Sequence, residues 1–400
     1  MSSGFPCLLA FLLLLATGHR SYAQPLPVPD HIIILIEENE TNTRVICSGC
    51  NSYAPWLNAL ATDSNAAYFS NMQSVDHPSQ PNYLEMFCGY NPGWPGYCEG
   101  GTQGDDSILG WPFTSVNLAS QLLQAGLSFK TYSEDLPYAG YEGKTYAPAY
   151  ARKHNPVTNW QGTGTNQVPD SLNQPFTAFP DSLHYNLLPT LCYVVPDLNN
   201  DMHNGTGDTS ITKADNWFHK YFNSLLPWVM AHNSLLVVTW DESNTLSCTV
   251  NPIPTIFYGP MVKGGSYTQQ ASSYSELRTY EDMYHLNQYG GYCGAAADSS
   301  PITYCWKAVS GINSPDETVS ALKVYPNPSN SVITFDGEKM DRSASEIIIT
   351  DFTGRQVAVV KLPASSKLNV NTGDYASGIY FYRLTESNGA TRSGKFVVTH

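Results

Sequence analysis

The sequence predicts a mixed α/β protein, with a doubly wound, mostly parallel sheet followed by a small C-terminal β-sandwich. Three uninterrupted apolar runs support the parallel sheet, because a strand covered on both faces is apolar at every position. These runs span 32–36, 192–195 and 235–240. Helical patterns lie between them, at 118–125 and at 217–230, where Pro227 is expected to interrupt the helix.

The character of the chain changes near residue 312. No cysteine follows Cys305, and 310–320 has the composition of a linker. Short alternating apolar runs then follow, separated by turn signals such as Asn388-Gly389. They span 322–325, 332–335, 347–349, 356–360, 379–384 and 395–398. We therefore expect a large domain over 24–312 and a small β-sandwich over 313–400.

The first 23 residues have the pattern of a signal peptide. Cys7 to Ala16 form an apolar core, and Ser21-Tyr22-Ala23 is a cleavage site with small residues at its ends. The apolar run is too short to span a bilayer, and no other stretch approaches that length. We expect an exported mature chain without a transmembrane segment.

Eight of the nine cysteines remain after signal removal. An even number in an exported chain favours disulfides. Proximity in sequence makes three pairings plausible: Cys47–Cys50, Cys88–Cys98 and Cys293–Cys305. The C-x-x-C formed by Cys47 and Cys50 is also compatible with zinc or redox chemistry. No second pair follows at zinc-finger spacing, which disfavours zinc.

The formal net charge is −14. Residues 313–400 carry equal numbers of acidic and basic side chains, so the whole acidic excess lies before them. An acidic body argues against nucleic-acid binding, which requires basic patches. An anionic substrate would need a local cation.

Polar side chains follow each of the three apolar runs. Glu38-Asn39 and Asp241-Glu242 follow two of them, and Asp201 and His203 lie shortly after the third. Because ligands gather at the carboxyl ends of parallel strands, we expect these groups to converge. Carboxylate and amide oxygens suit Mg, Ca or Mn, and do not exclude Fe. An acidic pair at a strand end is often only a cap or a solvated turn, but two such pairs weaken that alternative.

Ser79 stands where a loop leads into a predicted helix. Pro81 would lie in the first turn, where its missing N–H breaks no hydrogen bond. A serine at this position is commonly only a helix cap. A metal ion would instead make its hydroxyl nucleophilic, and the helix N-terminus would favour an oxyanion beside it. That combination fits phosphoryl transfer.

The same segments resemble the motifs of the acid phosphatase and phospholipase C phosphoesterase family, of the alkaline-phosphatase-like superfamily. The similarity extends in order over about 30–290. The motifs are Ile36-Glu37-Glu38-Asn39, His77 to Leu84, Arg152 to Pro156, Asn200 to His203, Thr239 to Glu242 and Tyr274 to Asp282. Where the family often has histidine before the last motif, this chain has Ser273.

This resemblance implies an alkaline-phosphatase-like fold and roles for individual residues. Ser79 would be the nucleophile that forms a phosphoserine intermediate. Asp201 and His203 would complete the site, with His203 protonating the leaving group or binding phosphate. Weaker candidates are His77 and His154, for which structural hydrogen bonding is an equal alternative. The metal ligands would be Glu38, Asn39, Ser79, Asp241 and Glu242.

The C-terminal region resembles the sorting domain of type IX secretion substrates. The motifs that carry this resemblance are Val324 to Pro328, Asp351 to Arg355 and Ser377 to Phe381. The resemblance implies recognition by the type IX machinery and passage across the outer membrane, with the tail either removed or used for attachment at the cell surface. A carbohydrate-binding β-module is the alternative.

Together these patterns predict an exported, metal-dependent phosphoric-ester hydrolase of acid-phosphatase type. The compact body favours monoester substrates over the first alternative, a phosphodiesterase or phospholipase C. The second alternative is a non-catalytic surface-binding protein, for which the 26 tyrosines and 8 tryptophans offer some support. Retention of Ser79 beside every proposed ligand argues against it.

Overall fold

The computed structural model describes residues 25–92, 96–98, 100, 105, 111–308, 323–336, 346–351, 355–361, 367–385 and 391–400. The chain divides into two compact units, Met1–Val309 and Ser310–His400. The predicted signal peptide, the linker at 310–320 and the Asn388-Gly389 turn lie outside the described residues, so the boundary at 312/313 stays a prediction. No helix in the described parts is long and apolar enough to cross a membrane.

The first unit alternates strands and helices along the chain. The strands are β1 (His31–Glu37), β2 (Ala66–Phe69), β3 (Met72–Gln73), β4 (Phe129–Ser133), β5 (Thr145–Tyr146), β6 (Tyr150–Ala151), β7 (Asn173–Pro175), β8 (Leu191–Val195), β9 (Ser234–Trp240), β10 (Pro252–Ile253), β11 (Thr255–Tyr258), β12 (Gly265–Tyr267) and β13 (Ala271–Ser272). The helices are α1 (Asn42–Val45), α2 (Pro55–Ala61), α3 (Ser79–Cys88), α4 (Leu118–Gln124), α5 (Asp208–Phe222), α6 (Leu225–Ala231) and α7 (Ser273–Met283). Short 3₁₀ helices span Cys50–Ser52, Arg152–His154, Pro156–Trp160, Asp170–Leu172, Phe176–Ala178, Tyr185–Leu187, Leu286–Gln288 and Gly294–Asp298.

Eight of these strands form the central sheet, in the order β12-β2-β11-β9-β1-β8-β4-β7. Only β11 runs antiparallel to its neighbours in this sheet. Strand β1 lies between β9 and β8, with Ile32 beside Leu235 and Leu191. Its residues from Ile32 to Glu37 are all buried, as expected for a strand covered on both faces. The predicted α/β fold with a mostly parallel sheet is confirmed.

Proline at position 227 does not interrupt a helix, contrary to the prediction for 217–230. Helix α5 ends at Phe222 and α6 begins at Leu225, so the break precedes Pro227. Pro227 lies in the first turn of α6, where a backbone N–H has no partner within the helix. The same argument explains how α3 accommodates Pro81.

Helix α3 has well-defined ends. Pro78 precedes it in extended conformation, and Gly89 follows it with φ 76°. A β-carbon on Gly89 would lie 2.2 Å from the carbonyl oxygen of Cys293. Both the left-handed backbone and this close approach require glycine, so the helix stops there.

The cysteine pairings are predicted correctly only in part. The Cys47–Cys50 disulfide is confirmed. Cys98 pairs with Cys248 rather than with Cys88, and the proposed pairing of Cys293 with Cys305 is wrong, because both are buried free thiols. Cys88 ends α3, where its thiol donates to the carbonyl oxygen of Tyr90 at 3.0 Å. Short separation in sequence therefore predicted one of these two disulfides correctly and missed the other.

The second unit is a β-sandwich, as predicted. Its strands are β14 (Lys323–Tyr325), β15 (Val332–Asp336), β16 (Glu346–Asp351), β17 (Gln356–Lys361), β18 (Lys367–Asn371), β19 (Gly378–Thr385) and β20 (Thr391–Val398). One sheet has the order β14-β15-β18 and the other β17-β16-β19-β20. Both contribute to one core, where the Phe335 ring packs edge-on against Tyr382 at 5.1 Å. The apolar runs did not predict strand β18.

Candidate active site

The carboxyl ends of β1, β8 and β9 bring the predicted polar segments together. The backbone N–H of Glu38 donates to the carbonyl oxygen of Asp201 at 2.8 Å. The N–H of Asp241 donates to the carbonyl oxygen of Glu37 at 3.0 Å. The three segments are therefore joined directly by backbone hydrogen bonds just beyond the sheet.

Asn39 turns the chain sharply after β1. Its φ of 53° lies in the left-handed region, which asparagine tolerates better than most residues. The turn aims its backbone N–H at Oδ1 of Asp241, at 3.2 Å, and its Nδ2 donates to Oε2 of Glu38 at 2.8 Å. Asn39 thus orients two of the acidic side chains.

Ser79 lies among these carboxylates. Its Oγ is 3.1 Å from Oε2 of Glu38 and 3.1 Å from Oε1 of Glu242. The side chain is buried and makes no capping hydrogen bond, because Ser79 is the first residue inside α3 and Pro78 is the cap. Its hydroxyl points into the acidic cluster, which does not fit the capping alternative.

Three histidines surround this cluster. His77 is buried, and its Nδ1 contacts the carboxylate of Glu242. His154 lies with Nε2 3.1 Å from Oε1 of Glu38 and Nδ1 3.3 Å from Oδ2 of Asp201. The backbone N–H of His203 donates to Oδ1 of Asp201 at 2.8 Å, and its partly exposed ring lies 5.6 Å from that of His154. All the predicted site residues are thus brought together.

Burial dominates the electrostatics of the site. It raises the pKa of Glu38 well above the usual value, and Asp241 and Asp201 raise it further. Burial and then Glu242 likewise raise the pKa of Asp241. Burial lowers the pKa of His154, with a further contribution from Lys153. Several buried carboxylates without enough positive charge around them would be stabilised by a bound cation.

The donor atoms fit a divalent metal. Glu38, His154 and His203 each offer one ligand atom, and these atoms lie within 4.8 Å of one another. Oδ2 of Asp241 is buried and accepts no hydrogen bond from the described residues. Oxygen and imidazole donors in one cluster suit Mn, Fe or Zn as well as the harder ions. The histidine contribution to a possible metal set was not foreseen from the sequence.

Two further side chains at the site were missed. The Nζ of Lys153 lies 3.2 Å from Nε2 of His203 and 2.8 Å from Oδ2 of Asp105. Lys153 belongs to the Arg152-to-Pro156 motif, which could have suggested it. Asp105 lies in a stretch rich in glycine and aspartate that carries no signal of its own.

The last family-like motif, Tyr274 to Asp282, makes contacts that hold the structure together. Arg278 donates to Asp282 at 3.0 Å and to the carbonyl oxygens of 296, 297 and 299. Glu281 accepts hydrogen bonds from Gln121 and from the N–H of Cys293. These side chains hold α7 to neighbouring loops.

Residues 51–287 match the model of the phosphoesterase family. The chain belongs to the phosphoesterase family. A phosphatidylinositol-3-phosphatase of Mycobacterium tuberculosis is 38% identical over 284 residues, which is 71% of this chain and 85% of that protein. The predicted enzyme class, a hydrolase of phosphoric esters, is confirmed.

Fungal acid phosphatases are also similar to this phosphoesterase. The phosphate-repressible acid phosphatase of Penicillium chrysogenum is 33% identical over 44% of this chain and 41% of its own length. The acid phosphatase of Aspergillus fumigatus is 28% identical over 58% of this chain and 52% of its own length. The chain thus spans about half the length of these fungal relatives.

Among solved structures, a protein of the alkaline phosphatase superfamily from Vibrio parahaemolyticus aligns with a TM-score of 0.49 at 10% identity. The alignment covers 92% of this chain and 83% of that one. Residues 323–399 match the model of the secretion system C-terminal sorting domain, which confirms the predicted nature of the β-sandwich.

Proposed function

We propose that this phosphoesterase is an exported, metal-dependent phosphomonoesterase that uses Ser79 as its nucleophile. One observation carries the proposal: Oγ of Ser79 lies 3.1 Å from a carboxylate oxygen of Glu38 and of Glu242, at the N-terminus of α3. A buried hydroxyl beside two proton acceptors, at the positive end of a helix, is suited to attack on phosphorus.

In the first step Oγ of Ser79 forms a bond to phosphorus while the bond between phosphorus and the ester oxygen breaks. Glu242 or Glu38 accepts the serine proton, since a carboxylate oxygen of each lies 3.1 Å from Oγ. The resulting phosphoserine is then hydrolysed by water, which releases inorganic phosphate and restores the hydroxyl. The N–H groups of the first turn of α3 favour the negative charge of the transferred group.

A divalent ion would be held by Glu38, Asn39, Ser79, Asp241 and Glu242. The mixed cluster of Glu38, His154 and His203 is a second donor set beside them. When bound, the ion would lower the pKa of the serine hydroxyl and offset the charge on phosphate oxygens.

The histidines differ in accessibility, and this supports different roles. His203 is partly exposed and is the candidate for protonating the leaving group or binding phosphate. His77 and His154 are buried against Glu242 and Glu38. We assign them to positioning those carboxylates, with Asp201 orienting His154 and His203.

The names of the relatives favour monoesters over diesters. The mycobacterial protein is a phosphatidylinositol-3-phosphatase and the fungal ones are acid phosphatases. The sorting domain supports export by type IX secretion and attachment at the cell surface. A phosphodiesterase or phospholipase C activity is the alternative, and the substrate panel below separates the two.

The test compares p-nitrophenyl phosphate, its bis-ester and phosphatidylcholine as substrates. Ser79→Ala should lose activity by at least a thousandfold, and acid quenching with a phosphorus-32 monoester should trap labelled Ser79. Ser273→Ala is the matched control, because Ser273 is also a buried serine at the first residue of a helix. Full turnover by Ser79→Ala would refute the mechanism, and preference for the bis-ester would refute the monoesterase assignment.

A further inference from the structure

A carboxylate of the chain itself is bound at the N-terminus of α3, beside Ser79. The backbone N–H of Gln80 donates to Oδ1 of Asp105 at 3.2 Å. Oδ2 of the same carboxylate lies 2.8 Å from Nζ of Lys153. Asp105 therefore joins a helix N-terminus to a cation, using one oxygen for each.

These two donors lie where a phosphoryl group would have to bind. Gln80 directly follows the proposed nucleophile in the first turn of α3. The Nζ of Lys153 is also 3.2 Å from Nε2 of His203, one of the predicted site residues. As a lysine, Lys153 carries a positive charge at neutral pH.

The chain is acidic overall, and an anionic substrate needs a local cation. Among the described residues, Lys153 supplies that cation at this site, with its side chain 11% exposed. A phosphate group offers the same kind of acceptor as a carboxylate, namely oxygens that share negative charge. Phosphate and Asp105 would thus compete for the same N–H and the same ammonium group.

We propose that Asp105 is an internal competitor for the phosphate-binding position formed by Lys153 and the Gln80 N–H. The inference rests on the proposed function, because it places the transferred phosphoryl group beside Ser79. Substrate or inorganic phosphate displaces the Asp105 carboxylate, whose side chain is 30% exposed. Asp105 thereby sets how tightly the enzyme holds its substrate and its product.

A purely structural role for Asp105 as a helix cap makes a different prediction. Asp105→Asn keeps an oxygen that accepts the Gln80 N–H but removes the charge that attracts Lys153. Asp105→Asn would therefore preserve a helix-capping hydrogen bond, but it would weaken competition with phosphate for Lys153. Asp215→Asn is the matched control, because Asp215 accepts the N–H groups of Trp56 and Leu57 at the start of another helix, α2.

The experiment measures the inhibition constant of inorganic phosphate and its dissociation constant by calorimetry on the full chain. Asp105→Asn should bind phosphate roughly tenfold more tightly, since a charge-assisted contact no longer has to be displaced. Asp215→Asn should leave phosphate affinity unchanged. Lys153→Met should weaken phosphate binding by about tenfold or more, and in that background Asp105→Asn should give little further gain.

Unchanged or weaker phosphate binding by a folded Asp105→Asn protein would overturn the inference. So would a full tenfold gain that persists in the Lys153→Met background, because Asp105 would then act through its overall charge and not through Lys153. Calorimetry reads phosphate binding without turnover. Failure of the wild-type protein to hydrolyse any phosphate ester would instead count against the proposed function.

Discussion

The disulfide between Cys98 and Cys248 should be a major source of stability in the first unit. It joins residues separated by 150 positions. In the chain-entropy description, closing a loop of this length removes about 5 kcal/mol of freedom from the unfolded chain. Since domains of this kind are stable by roughly 5–15 kcal/mol, replacing both cysteines by serine should remove a large fraction of the total.

The Cys47–Cys50 disulfide provides the internal control. It spans only 3 positions, so the same description gives it about 2 kcal/mol. All 8 tryptophans lie before residue 309, so their fluorescence reports the unfolding of the first unit without a contribution from the β-sandwich. Urea titrations of the two double-serine variants and the wild type would compare the free energies of unfolding directly.

We expect Cys98→Ser with Cys248→Ser to lose about 3 kcal/mol more than Cys47→Ser with Cys50→Ser. Equal losses in the two variants would refute the loop-length reasoning. A local effect on the site should accompany the larger loss, because the N–H of Cys98 donates at 2.7 Å to Asp76, which also accepts the N–H of His77 at 2.6 Å. Activity should therefore fall at denaturant concentrations below the unfolding midpoint.

Three further predictions concern pH, packing and metal. Burial raises the pKa of Glu276 from 4.5 to about 7, despite hydrogen bonds from Tyr280 and Thr239. The contribution of Glu276 to the free energy of unfolding is therefore complete below pH 4.5 and is lost as the pH rises to 7, which amounts to about 3 kcal/mol. Glu276→Gln should remove this loss when urea titrations are compared across that pH range. If the wild type and Glu276→Gln lost the same free energy of unfolding between pH 4.5 and 7, the prediction would be wrong. Arg278→Ala should lower the free energy of unfolding by about 2 kcal/mol while kcat stays unchanged, and a large kcat loss in the folded variant would show that the residue acts at the site. Dialysis against a chelator should abolish hydrolysis of p-nitrophenyl phosphate. Re-addition of single divalent ions, combined with elemental analysis, should identify the metal. Full activity after complete metal removal would exclude the proposed metal dependence.

The strand ends of the site could be predicted because two independent constraints act on them. An uninterrupted apolar run such as 32–36 predicts a buried parallel strand, and parallel order places all carboxyl ends at one edge. Glu38 and Asp241 then follow from the register of β1 and β9. The position of Ser79 followed from Pro81, because within a helix proline is tolerated only in the first turn.

The missed features depend on contacts between segments that no local pattern specifies. Cys98 pairs with a residue 150 positions away, so distance along the chain was misleading. Pro227 was expected to break a helix, but the same rule that explained Pro81 applies to it once α6 is known to begin at Leu225. Asp105 carries no sequence signal, because its role is defined by two donors from α3 and from the 3₁₀ turn of Lys153.

This division between strand ends and loops has a functional consequence. The groups proposed to act on the serine, such as Glu38 and Glu242, follow strands whose register is constrained by the whole sheet, so their geometry is rigid. Lys153, the proposed phosphate-binding group, and Asp105, its proposed competitor, come from connecting segments that can vary without disturbing the sheet. Substitutions at Lys153 should therefore act mainly on KM, while Glu38→Gln should lower kcat, because the carboxylate interacts with the serine proton as the bond to phosphorus forms. A Lys153→Met protein with normal KM and low kcat would show that its ammonium group acts in the chemical step, and the separation between strand-end chemistry and loop-based affinity would fail.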